Sequence, residues 1–304
     1  KLEEIRSLCT KATIMRRGRV VKNCNPQKIS ATKIAEEMVG TSFSSPKKSK
    51  IKKGKECLQI NNLSFKPLDP FGIPIKNLNL KLHHGEIIGI GGVAGNGQEE
   101  FLSLLSGELK PSNGSLFFND EDITKLNVVE RRNKGLLSAP EERLGHAAVP
   151  AMSLTENCLI TAEHRMKLSK RGLIDYRNSK NLSDRIIKKL DVRTGGSDAL
   201  ARSLSGGNLQ KFVIGRELIQ NPKIFIVNQP TWGVDAAAAS SIRQQILDLA
   251  KEGTGIIVIS QDLDELLEIS DVFCALVGGQ LSSPEMTIEL NPSRLGMLIS
   301  NSIE

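Results

Sequence analysis

Three short apolar runs punctuate the chain, and each closes on small or polar residues: "EIIGIGG" at 86–92, "KIFIV" at 223–227 and "GIIVIS" at 255–260. Runs of this length, rich in Ile and Val and without alternation, predict strands buried on both faces. Each leads through a turn into a helical pattern, as in "EEFLSLLSG" at 99–107. "SLFFND" at 115–120 reads as a strand and turn, and residues 151–190 read as mostly helical, with amphipathic stretches at "LTENCLITAEHR" and "NLSDRIIKKLDV". Strands alternating with helices predict an α/β fold with a mostly parallel sheet covered on both faces. Its ligand should lie at the carboxyl ends of the strands.

The two ends of the chain share a pattern. With one constant offset and no gap, Leu2 faces Leu263, Glu4 faces Glu265, Ile5 faces Leu266 and Leu8 faces Ile269. Met15 then faces Leu276, Gly18 faces Gly279 and Val20 faces Leu281, and Lys33-Ile34-Ala35 meets Arg294-Leu295-Gly296. A single register held across separate segments favours a tandem duplication of units near 260 residues long. On that reading residues 1–40 are the tail of a first copy, 41–56 a linker and 57–304 a complete second copy. The chain also opens on Lys1, already inside an amphipathic pattern, which reads as a piece of a longer protein.

Composition narrows the class. A chain of 304 residues with 39% hydrophobic and 25% charged residues is ordinary globular material, enough for one large domain or two small ones. No apolar run approaches the roughly 18 residues of a membrane span. The five cysteines (Cys9, Cys24, Cys57, Cys158, Cys274) are scattered without a C-x-x-C pair, which argues against disulfides and a zinc site and for a reducing compartment. The net charge of +7 is concentrated in "SPKKSKIKKGK", whose six lysines are Lys47, Lys48, Lys50, Lys52, Lys53 and Lys55. Setting those aside leaves a balance near +1, so no folded face need be basic and no nucleic-acid partner is expected. The stretch reads as a solvated linker, with attraction to acidic lipid headgroups or RNA as the lesser alternatives.

The candidate chemistry starts at "GGVAGNGQEEF". Gly92 to Gly97 has the G-x-x-x-x-G rhythm of a phosphate-binding loop, with Gly95 and Asn96 inside it. Lys and then Ser or Thr should follow, and Gln98 and Glu99 stand there instead. Farther on, "SLSGGNLQKFVIGREL" places Leu204-Ser205-Gly206-Gly207-Asn208 at the start of a helix. Ser205 can cap that helix, and its bare backbone N–H groups and dipole make a place for phosphate; taken alone, the turn also suits a plain N-cap. Then "KIFIVNQPTWGVD" brings a strand, the polar pair Asn228-Gln229, a proline and Asp235, and "IIVISQDLDEL" brings a strand ending on Ser260-Gln261-Asp262. A dinucleotide-binding dehydrogenase is the rival from another class, using Gly92, Gly95, Gly97 and, after a strand, Asp120. The order required there is G-x-G-x-x-G, and the S-G-G helix and polar-pair strand would be left without a role.

In this order the motifs resemble the nucleotide-binding domain of ATP-binding-cassette (ABC) transporters, across residues 57–304, and residues 1–40 resemble the end of another such domain. The resemblance implies a P-loop NTPase-type α/β fold with a mostly parallel core sheet, an antiparallel β subdomain and an inserted helical subdomain at about 150–210. It makes Gly92 to Glu99 the Walker A loop, Leu204 to Asn208 the signature, Ile224 to Gln229 the Walker B strand and Asp235 part of the D-loop. Gln261 then holds the place of the switch His, and Glu141 in "SAPEER" the place of the Q-loop Gln.

"GVAGNGQ", "LSGGNLQK" and "QPTWGVD" are most similar to the second cassette of tandem ATPases in simple-sugar and nucleoside importers, nearer the nucleoside branch. The resemblance implies ATP as ligand, with Mg²⁺ at the partner domain's site, and as partners the first ABC domain of the same polypeptide, transmembrane permease subunits and, indirectly, a solute-binding protein. It also implies a peripheral place on the cytoplasmic face of the membrane.

The departures weaken this domain's own site. Gln98 lacks the Lys charge, Glu99 lacks the hydroxyl, Asn228 lacks the metal-holding carboxylate, Gln229 cannot act as a base, and Gln261 replaces the His. Hydrolysis at this loop is therefore not expected, although its backbone could still hold nucleotide loosely. In the family two cassettes face each other head to tail, so the signature here would complete the site on the first copy's Walker A. A non-transport tandem cassette acting on ribosomes or DNA is the alternative within the family; it would depend on competent hydrolysis motifs and long charged helical insertions, which this sequence lacks. Trp232 is expected to pack beside the D-loop, and His83 and His84 to precede a surface turn at Gly85.

Overall fold

The Ile- and Val-rich runs form the middle of a parallel sheet because both of their faces are covered. The computed structural model describes residues 2–16, 18–39, 48 and 53–300. A small amino-terminal unit comprises α1 (Leu2–Leu8), β1 (Ala12–Arg16), β2 (Arg19–Cys24) and α2 (Ala31–Val39). After it come β3 (Glu56–Phe65), β4 (Ile75–His83), β5 (Ile87–Gly91), α3 (Gln98–Ser106), β6 (Asn113–Phe118), β7 (Glu121–Asp122), α4 (Val128–Lys134) and β8 (Leu136–Ala139). A mostly helical stretch follows, with α5 (Leu154–Met166), the short pair β9 (Ser169–Lys170) and β10 (Leu173–Ile174), α6 (Tyr176–Lys189) and α7 (Gly206–Leu218). The chain continues through β11 (Ile224–Asn228), α8 (Ala236–Lys251), β12 (Gly255–Ser260), α9 (Leu263–Ile269), β13 (Val272–Val277), β14 (Gln280–Leu281), β15 (Glu285–Met286) and α10 (Pro292–Ser300).

The main sheet runs β14-β13-β5-β12-β11-β8, with β15 also on β13, and its five long strands are parallel. A second, antiparallel sheet has the order β4-β3-β6-β7. Alternation along the central strands divides the core. Phe225, Val227, Ile256 and Val258 face the layer built by α5, α6, α7 and α8, while Ile224, Ile226, Ile257 and Ile259 face α3 and the antiparallel sheet. This arrangement brings the ends of β5, β8, β11 and β12 to one edge, where the polar motif residues begin.

The internal pattern has a structural counterpart. Moved by the offset that sets Leu2 on Leu263, α1 falls on α9 and α2 on α10, each from first residue to last. Buried Ile34 falls on buried Leu295. Gly18 and Gly279 turn the two hairpins in the same left-handed conformation, at φ +74° and +76°. At Gly279 glycine is also required by space, since a Cβ would lie 1.8 Å from the Pro74 carbonyl oxygen.

Most of the Lys-rich stretch at 41–56 lies outside the described residues. Of its lysines, Lys48 pairs with Asp271 at 3.1 Å, and Lys53 pairs with the buried carboxylate of Glu86 at 2.7 Å. His83 hydrogen-bonds the same Glu86 at 2.8 Å, and the chain then turns at Gly85 with φ +76°.

Candidate functional site

The glycine loop leaves the carboxyl end of β5 and enters α3 at Gln98, so Gln98 sits at the first helical position. Its side chain folds back into the loop. Gln98 Nε2 donates to the Val93 carbonyl at 2.9 Å, and Gln98 Oε1 accepts from the Asn96 N–H at 3.0 Å. Asn96 adds a further tie from its Nδ2 to Val93 O, and accepts from Gly278 N at 2.8 Å and Gly279 N at 3.0 Å. One N–H of the cradle is thus already used, and a phosphate would have to displace the Gln98 amide. The surroundings are anionic as well. Burial pushes the Glu141 carboxyl above its ordinary value, and the nearby charge of Glu99 raises it further, against the opposing influence of Arg143. Two carboxylates beside the loop disfavour a polyphosphate.

The strand end where the motif resemblance calls for carboxylates carries the amides Asn228 and Gln229. Asn228 is buried, and its Oδ1 has no hydrogen-bond partner. Gln229 is buried in a left-handed conformation at φ +53°, which costs a non-glycine residue about 1–3 kcal/mol. Its backbone N–H bonds to Ile259 O at 2.8 Å, locking the turn to the neighbouring strand. Gln261, expected at the switch position, is exposed. Mg²⁺ on a nucleotide calls for a hydroxyl and a carboxylate. At the corresponding places here the hydroxyl is replaced by the carboxylate of Glu99 and the carboxylate by the neutral, unpartnered amide oxygen of Asn228. The described residues contain no cluster of three His, Cys, Asp or Glu side chains able to hold a metal.

The S-G-G turn is built differently from the loop. Ser205 occupies the N-cap position of α7, yet its side chain makes no capping bond. This corrects the expectation that Ser205 caps the helix. Its Oγ instead accepts from Asn208 Nδ2 at 2.8 Å, and Asn208 Oδ1 accepts from Arg193 N at 2.9 Å. The N–H groups of the first turn, which no residue upstream in the helix can satisfy, therefore face an open cleft. That cleft is lined by Ser205, Gly206, Gly207, Arg193, Lys211 and Asp235 among others. Asp235 is held at its edge as the N-cap of α8, accepting from Ala238 N at 2.9 Å. A helix terminus with two cations beside it suits an anionic ligand.

The structure brings Gln98, Glu99, Glu141, Asn228, Gln229 and Gln261 to the strand-end edge, and Leu204 to Asn208 with Asp235 to the cleft by α7. Trp232 departs from expectation, since the residue is 60% exposed rather than packed. Arg143 and Gln210 had not been singled out, although they link these segments: Arg143 Nε donates to Gln210 Oε1 at 2.9 Å. The available signal was an arginine two residues beyond Glu141.

With this geometry in hand, comparison with known proteins gives consistent matches. Residues 75–232 match the family described as ABC transporter. The chain is 33% identical over 303 residues to the nucleoside import ATP-binding protein NupA of Lactococcus lactis, covering 98% of this chain and 59% of that protein. It is 31% identical to the glucose import ATP-binding protein TsgD13 of Haloferax volcanii, over 98% of this chain and 54% of that one. With the galactose/methyl galactoside import ATP-binding protein MglA of Escherichia coli it shares 34% identity, over 93% of this chain and 55% of that one. The chain thus spans little more than half the length of these relatives. Among solved structures, the ATP-binding cassette MJ1267 aligns with a TM-score of 0.65 at 22% identity, covering 81% of this chain and all of that one. The dimeric cassette MJ0796 in its post-hydrolysis state aligns with a TM-score of 0.64 at 21% identity, over 76% and 98% of the two chains.

Proposed function

This chain belongs to the ABC transporter family, and we propose that it is the carboxyl-terminal part of a tandem importer ATPase whose second cassette supplies a signature motif rather than a working phosphate loop. The observation that carries this reading is a contrast within the chain. The glycine loop is tied shut on itself by the Gln98 side chain, which takes up its Asn96 N–H, while the S-G-G turn faces an open cleft lined by Arg193 and Lys211 as well as Asp235. ATP would be held by an upstream Walker A and completed by Ser205, Gly206 and Gly207, with Mg²⁺ belonging to that upstream site.

The coincidence of α1 with α9 and α2 with α10 supports reading residues 1–40 as the tail of a first cassette, 41–56 as linker and 57–304 as a second cassette with a helical subdomain at about 150–210. The hairpins support the head-to-tail arrangement. The β13–β14 turn bonds to this cassette's glycine loop through Gly278 and Gly279. Its counterpart β1–β2 lines a cleft with Arg193, Lys211 and Asp235, the same residues that border the S-G-G turn. An upstream loop standing to β1–β2 as Gly92–Gly97 stands to β13–β14 would meet the signature there.

The import substrates named for the relatives make a nucleoside or a simple sugar the solute class, with permease subunits and a solute-binding protein as partners. The relatives' naming as import ATP-binding proteins supports a peripheral place on the cytoplasmic face of the membrane; no helix among the described residues is long and apolar enough to cross a membrane. The test is ATP hydrolysis by the assembled transporter with its binding protein, titrated with nucleosides and with pentoses and hexoses. One class should stimulate turnover. Indifference to both would contradict the import reading.

A further inference from the structure

We propose that Arg143 is a positioning residue that holds the first turn of α7 against the strand end at Gln229 and the turn at Trp232–Gly233, and so sets the aim of the Gly206 and Gly207 N–H groups. The inference rests on the proposed role of that turn in completing the upstream ATP site.

Three segments far apart in sequence meet on this guanidinium. Nε donates to Gln210 Oε1 at 2.9 Å, and Nη2 donates to the Trp232 carbonyl. Gln210 is buried and passes the tie onward, its Nε2 donating to the carbonyls of Gln229 and Pro230, both at 3.1 Å. Gln210 lies one helical turn beyond Gly206, so both stand on the same face of α7. Arg143 packs on the bare backbone between them. A Cβ on Gly206 would lie 2.7 Å from Nη1, and one on Gly233, at φ +63°, would lie 3.2 Å from Nη2. Glycine at both places lets the planar fork slide between helix and turn. The first turn of α7 also abuts that turn directly, since a Cβ on Gly207 would lie 3.1 Å from Gly233 O.

The base of the side chain is fixed as well. The loop that carries Arg143 is closed by bonds from Ala147 N to Glu142 O and from Ala148 N to Arg143 O, each 2.9 Å. Two of the guanidinium nitrogens are committed to Gln210 and the Trp232 carbonyl. Arg143 therefore acts through α7 rather than on the ligand. Lysine is no substitute, because a single ammonium cannot reproduce a rigid fork aimed at two acceptors. The same segment carries Glu141, whose carboxyl feels the charge of Glu99. Arg143 thus ties the segment bordering the glycine loop to the signature helix.

The experiment uses the intact tandem protein assembled with its permease subunits, and compares Arg143→Ala, Arg143→Lys, Gln210→Leu and Ser205→Phe in steady-state ATPase assays with ATP titration. Arg143→Ala should lower kcat roughly 10–100-fold through misaimed donors. Its KM for ATP should stay within about twofold, because nucleotide is held by the upstream loop. Lysine should not restore turnover, and Arg143→Ala combined with Gln210→Leu should be no worse than the poorer single variant, as expected of one connected unit. If Arg143→Ala turns over like wild type while Ser205→Phe is inactive, the positioning role is wrong and the signature reading stands. If Ser205→Phe is also active, both are wrong. A raised KM with unchanged kcat would make Arg143 a nucleotide-binding residue and overturn the proposal. Should Arg143→Ala fail to fold, Gln210→Leu breaks the same bridge from the other side, and wild-type turnover in it would be equally decisive.

Discussion

If the proposed tandem arrangement holds, replacing Ser205 with Phe in the full-length protein should abolish nearly all ATP hydrolysis. The side chain at 205 is exposed at the mouth of the cleft formed by Gly206, Gly207, Arg193 and Lys211. A phenyl ring there would keep the γ-phosphate away from the N–H groups of the first turn of α7. Losing preorganised donors of this kind costs roughly 3–4 kcal/mol, or 10²–10³ in rate. Gln98→Ala in the same protein should change turnover far less, because the Gln98 amide only closes its own loop onto Val93 and Asn96. ATPase rates of the two variants, with solute-loaded binding protein present, check the contrast. A crippled Gln98→Ala beside a near-normal Ser205→Phe would reverse the division of labour.

The present chain alone should release phosphate from ATP at no more than the background rate, even when concentrated. Gln98, Glu99, Asn228 and Gln229 remove the cation, the hydroxyl, the metal-holding carboxylate and the base together, and an amide accepts no proton at neutral pH. The double variant Gln98→Lys, Glu99→Ser separates binding from chemistry. It removes both the amide that ties the loop shut and one of the two carboxylates near it. ATP affinity should rise about tenfold or more, as one hydrogen bond to a charged group is worth roughly 1.5–3 kcal/mol. Hydrolysis should still be absent, since Gln229 remains an amide. Equilibrium binding and phosphate release on the two proteins give the answer. Magnesium-dependent turnover by the unaltered chain, lost when Gly97 is replaced by Val, would refute this account of the loop.

Much of the fold is legible in the chain because its strands are buried on both faces. "IIGIG", "IFIV" and "GIIVIS" need no alternation to be recognised, and they form β5, β11 and β12. The antiparallel sheet is harder to read. Along β3 and β4 the side-chain alternation breaks where Asn62 and Asn77 take positive φ, and the pairing shifts register at that point. The β9–β10 hairpin has two residues per strand, too few for any period to appear.

The site divides in the same way. Spacing identifies the glycine loop and the S-G-G turn, because both are continuous in sequence. It does not reveal that Gln98 turns back into its own loop, that Ser205 bonds Asn208 instead of capping, or that Arg143 meets Gln210 and Trp232 across the fold. Those depend on side-chain direction and on contacts between distant segments, and neither leaves a period in the sequence.

The most direct test of the central claim is the number of nucleotides that the intact tandem protein traps when turnover is arrested with vanadate, which mimics the phosphoryl group in its transition state. If hydrolysis belongs to an upstream loop completed by Ser205, Gly206 and Gly207, one ADP should be trapped per chain, and Ser205→Phe should prevent its capture. Two trapped ADP per chain, or one held by the 91–101 loop and lost on changing Gln98, would contradict the account.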